Sequence, residues 1–116
     1  MNNAREMIVK KIRQLFPQEN GDSVMEILDS YGTEDWEREK ERVQLAILKL
    51  SEGNLETLRA DVAAAKRDYR DILAYAEFPG EIRLSASEMS SLPSKQAKAI
   101  RAQDSKQFLD WLQNDD

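Results

Sequence analysis

The side chains best suited to chemistry in this sequence are carboxylates. Glu34, Glu37 and Glu41 lie in one stretch and Asp61, Asp68 and Asp71 in another. Glu34-x-x-Glu37 and Asp68-x-x-Asp71 share the spacing that puts two side chains on one face of a helix. Two such pairs on neighbouring antiparallel helices would offer oxygen ligands to magnesium, a hard cation, and with it metal-assisted hydrolysis of a phosphate ester. In a chain with 22 acidic residues the spacing also arises by chance. Arg38, Lys40, Arg42, Lys66, Arg67 and Arg70 interleave with these carboxylates, so a solvated, salt-bridged face accounts for the same residues. Histidine and cysteine are both absent, which removes imidazole and thiol nucleophiles, thiolate or imidazole metal sites, and disulfides. No cofactor is implied.

Three further groups are candidates for binding. The run Lys66-Arg67-Asp68-Tyr69-Arg70-Asp71 is dense enough in charge for a partner or anion site, or for a charged rim around a packed tyrosine. Trp36, with Tyr31 before it, would line a small-molecule pocket or else fasten the start of a helix to the core. Lys10, Lys11 and Arg13 fall on the polar side of the first helix, a small footprint for an acidic partner or a phosphate backbone and a natural complement to the acidic middle of the same chain or of a second copy. The strongest candidate is the terminal cluster Phe108, Leu109, Trp111 and Leu112, which follows a long polar tract and must dock somewhere. It reads as a partner-binding surface of the helix-in-groove kind, placed on its own body, on another copy or on a different protein.

The elements that must position these groups read as all-α. Ile8, Ile12, Leu15 and Phe16 make the apolar stripe of a helix from about Asn3 to Phe16, ended by Pro17. Asp22 or Ser23 is placed to cap a second helix, Ser23 and Glu26 fitting a capping box, with Val24, Ile27, Leu28 and Tyr31 inward and Gly32 as its stop. Thr33 is placed to cap a third, on which Trp36, Val43, Ile47 and Leu50 share a face and whose second half is apolar almost all round. Asn54 opens a fourth that runs to Phe78, with Leu58, Val62, Ala65, Tyr69, Ile72 and Ala76 as its seam. The short link through Gly53 makes these last two antiparallel neighbours.

Pro79-Gly80 divides the chain into a compact four-helix body, residues 1–80, and a helical C-terminal appendage, residues 81–116. Ser94 to Ala102 can form a helix there, and Asp104 can cap another turn or two carrying the aromatic cluster. Charge follows the same division. Residues 1–16 have four basic side chains against one acidic, residues 17–80 have 8 against 15, and the remainder 5 against 6. The net charge of -5 argues against nucleic-acid binding, and no apolar run is long enough for a signal-peptide core or a spanning helix. A cytoplasmic protein without membrane contact is the expectation.

Leu28-Asp29-Ser30-Tyr31-Gly32-Thr33-Glu34, the stretch Glu41 to Ser51, and the stretch Ala65 to Pro79 together resemble a family of short, uncharacterised, all-helical bacterial proteins. The resemblance covers about residues 5–80. It implies a helical fold in a bacterial cytoplasm and assigns no functional residue. The expected function is a non-enzymatic protein-interaction or self-assembly module, with a magnesium-dependent all-α phosphohydrolase as the alternative.

Overall fold

The computed structural model describes residues 4–84 and 86–114, and every regular element among them is a helix: α1 (Ala4–Leu15), α2 (Gly21–Asp29), α3 (Lys40–Ser51), α4 (Leu55–Arg67), α5 (Tyr69–Glu77), α6 (Pro79–Ile82), α7 (Ala86–Ser91) and α8 (Ser94–Gln113). The fold is all-α. The expected first helix is α1, with Ile8, Ile12 and Phe16 buried; Asn3 lies outside the described residues. Asn20 caps α2, not Asp22 or Ser23. Its side chain accepts the Asp22 N–H at 2.8 Å, so Ser23 falls inside the helix and the capping box is not used.

The third helix begins six residues later than the Thr33 signal suggests, at Lys40 with Glu39 as its N-cap. Glu37 turns back and accepts the N–H groups of Gly32 and Thr33, at 2.8 and 3.1 Å, and the Tyr31 hydroxyl donates to the Arg38 carbonyl at 2.7 Å. These bonds give the segment's backbone partners other than a helix ladder, so residues 31–39 form a tied loop and Trp36 stands outside any helix. From Val43 to Leu48 all six residues of α3 are buried, which makes it the central helix, touching α1, α4 and α5. At the turn that follows, Gly53 has φ +79° and a Cβ there would lie 2.8 Å from the Leu15 carbonyl oxygen. Glycine is needed for both conformation and space.

The expected single helix from Asn54 to Phe78 is two helices. Asn54 caps the first as expected, accepting the Thr57 N–H at 2.9 Å. The ladder then stops at Asp68, whose backbone is extended and whose carboxylate accepts the Arg70 N–H at 3.1 Å, starting α5 afresh. Leu58, Val62, Ala65, Ile72 and Ala76 remain buried on both sides of the break, and Tyr69 is half-buried against the same core as Ile47.

Past Pro79 the chain returns along the body, with α8 touching α5 and α6. The two helical pieces expected around Asp104 are one continuous helix. Asp104 is 2% exposed and its carboxylate accepts the N–H groups of Gly80 and Glu81, at 2.7 and 3.0 Å, from across the chain. Asp68 satisfies the amide two residues ahead and caps a new helix; Asp104 satisfies two distant amides and leaves its own helix whole.

Candidate functional site

The six carboxylates do not gather. Glu37, 6% exposed, is committed to Gly32, Thr33 and the Lys66 ammonium, the last at 2.9 Å. Burial would raise its pKa, but the Lys66 hydrogen bond and then the two backbone N–H groups outweigh that and hold it below the ordinary glutamate value. Asp68 is an N-cap, Glu34 and Glu41 are exposed, and Asp61 and Asp71 line a different surface. Among the described residues no group of three or more carboxylates is arranged to hold a metal ion.

Asp61 and Asp71 instead border an apolar groove of about 750 Å³ formed by α4, α5, α6 and the end of α3. Its floor includes Leu50, Ala64 and Ile72, and Tyr75 and Ile82, 54% and 39% exposed, stand in its wall. Two large apolar side chains left in water on one groove mark a surface suited to contact. Burial pushes the Asp61 carboxyl above its ordinary value, because no cation within reach offsets its loss of water. Asp61, Asp71 and Arg83, all on the groove, make no side-chain hydrogen bond or ion pair among the described residues. The carboxylates were legible as candidates for another purpose. The sequence signal for Tyr75 is its place off the seam beside Ala76, where an aromatic has no core to enter.

A second, smaller cleft of about 560 Å³ lies between the 31–39 loop and the joint of α4 with α5. It brings together two groups that the sequence offered separately, Trp36 and the run Lys66 to Arg70. Trp36 is 63% exposed, so it does not fasten a helix to the core. Tyr31 is not in this cleft's wall; it is fully buried, and burial, followed by the charge of Glu37, pushes its hydroxyl up to about 12.

The terminal cluster is divided. Phe108, Trp111 and Leu112 are half-buried against the main core, with Phe108 and Trp111 stacked at 5.8 Å, whereas Leu109 is 53% exposed. Lys11 holds this end of α8. Only 2% exposed, its ammonium lies 4.5 Å from the Trp111 ring centroid and donates to the carbonyls of Trp111 and Asn114, the latter at 3.0 Å. A cation on the last carbonyls of a helix adds a donor to them and opposes the negative end of the dipole. Burial, then the charge of Lys10, lowers the Lys11 pKa from its ordinary value. The expected place of Lys11 on the polar side is wrong: it lies three residues after Ile8 and four before Leu15, beside the apolar stripe, and is buried. Lys10 and Arg13 are exposed.

No family model, no curated protein and no solved structure matches this chain. No helix among the described residues is long and apolar enough to cross a membrane.

Proposed function

We propose that the protein is a non-enzymatic, cytoplasmic self-assembly module that pairs two copies through the groove of α4, α5 and α6. The observation that carries this reading is the patch itself: Tyr75 and Ile82 exposed in an apolar groove, with Asp61, Asp71 and Arg83 around them and in no side-chain hydrogen bond or ion pair among the described residues. A two-fold axis through such a patch brings each copy's Arg83 to the other copy's carboxylates, so the same surface is complementary to itself in charge as well as in apolar character. An Asp61 carboxylate short of water gains most from a guanidinium supplied in this way. The terminal cluster serves the body in this reading: Phe108, Trp111 and Leu112 are occupied by their own core, and Leu109 alone faces outward. The patch is small beside the roughly 800 Å² per partner of a standard stable interface, so the dimer is weak and concentration-dependent. The resemblance to short bacterial helical proteins fits a cytoplasmic setting and adds no functional residue.

The test is charge exchange read by light scattering after gel filtration. Arg83→Asp alone is expected to yield the monomer, and the double variant Asp71→Arg with Arg83→Asp to restore the dimer. A wild type and an Arg83→Asp variant of equal, monomeric mass at every concentration would remove the reading.

A further inference from the structure

We infer that the cleft between the 31–39 loop and the α4–α5 joint binds a nucleotide-class ligand, a flat aromatic ring carrying phosphate, with Trp36 against the ring and Arg38 and Arg67 on the phosphate. All three side chains line this one cleft. Its volume of about 560 Å³ falls in the range of small-molecule sites, roughly 300 to 1,000 Å³.

Among the described residues Trp36 is the most exposed of the large apolar side chains, at 63%, and its loop is not loose. The residue after it, Glu37, is buried on two amides and Lys66, and the next, Arg38, gives its carbonyl to the buried Tyr31 hydroxyl at 2.7 Å. The indole is therefore held out on a backbone fixed immediately beside it, a stacking surface whose ordering cost is met by the fold.

The cations divide by what they already bind. Lys66 is committed to Glu37 and the Ser30 carbonyl, and Arg70 to Asp68. Arg38 and Arg67 make no side-chain hydrogen bond or ion pair among the described residues, and both are exposed. A guanidinium presents a planar fork of donors that matches phosphate oxygens two at a time. With Lys66 paired to Glu37 and Arg70 to Asp68, the cleft still sets Arg38 and Arg67 against Asp35 alone, a local positive excess in a chain of net charge -5. That same overall charge opposes a long polyanion, so the fitting ligand has the size of a mononucleotide, not of a nucleic-acid strand.

The test uses the full chain with AMP, adenosine and inorganic phosphate as separate probes, followed by calorimetry and by the indole N–H resonances of Trp36 and Trp111. AMP is expected to bind more tightly than adenosine or phosphate and to move the Trp36 signal while that of Trp111 stays in place. Trp36→Ala and Arg67→Ser should each weaken AMP about tenfold, the scale of one lost stacking or charge-assisted contact, with unchanged thermal unfolding because both side chains are exposed. The inference is overturned if AMP fails to saturate at millimolar concentration. It is also overturned if phosphate binds as tightly as AMP, or if neither substitution alters the affinity.

Discussion

Removing the Glu37 carboxylate should cost more stability than any other single charge deletion in the loop that carries Trp36. In Glu37→Ala the N–H groups of Gly32 and Thr33 lose their acceptor and the Lys66 ammonium loses its ion pair. Breaking a buried pair by deleting one partner costs about 3 to 5 kcal/mol. The Lys66 side chain is 37% exposed and regains water, which favours the lower end of that range, about 3 kcal/mol. At about 4 °C per kcal/mol for a chain of this size, the midpoint should fall by about 12 °C. Glu37→Gln keeps an acceptor for the amides and loses only the charge, so about half that loss is expected. The pH dependence has a definite sign. Because the folded-state pKa of Glu37 lies below the ordinary 4.5, its contribution is present above pH 4.5 and is lost as pH falls through the folded value. Thermal unfolding followed by circular dichroism from pH 7 to pH 3 therefore should show a shallower acid slope in Glu37→Gln than in the wild type. A Glu37→Ala midpoint within about 2 °C of the wild type would refute the claim that this carboxylate organises the loop.

Other substitutions probe the joints and the groove. Gly80→Ala would set a Cβ 2.6 Å from the Asp104 Oδ1 and should destabilise by about 1 to 3 kcal/mol in denaturant titration. Lys11→Met should uncap α8 at a cost of up to about 2 kcal/mol and shift Trp111 emission to the red, as the ring loses its ammonium neighbour and gains water. Asp61→Asn should slightly raise the melting temperature of the dilute monomer at pH 7, with the gain vanishing in acid. The folded pKa of Asp61 lies above its ordinary 3.8, so the ionised group costs stability above the folded value and that cost fades as pH drops towards 3.8. The same substitution should weaken self-association.

Helix periodicity made the core legible. Ile8, Ile12, Leu28, Val43, Ile47, Leu58 and Val62 lie where their spacing puts them, because burial of an apolar stripe depends only on residues three and four apart. Side chains that bond backbone were less readable. Thr33 followed by Glu34 and Asp35 has the composition of a helix start, yet Glu37 closes a loop over Gly32 and Thr33 instead, and its pairing with Lys66 spans 29 residues. Asp68 and Asp104 sit in similar helical surroundings, and only the fold decides that one caps the next helix while the other reaches Gly80. The candidate surfaces depend on the same long-range choices. Trp36 and Arg67 line one cleft only because the 31–39 loop lies beside the α4–α5 joint, and Tyr75 and Ile82 line one groove only because α6 follows α5 at Pro79.

The central claim is that the groove of Tyr75 and Ile82 pairs two copies. Sedimentation equilibrium of the wild-type chain from micromolar to near-millimolar concentration tests it most directly. The mass is expected to rise with concentration from 13.3 kDa towards twice that value, and an Ile82→Asp variant to stay at 13.3 kDa while melting as a folded protein. A wild-type mass of 13.3 kDa across the whole range would contradict it.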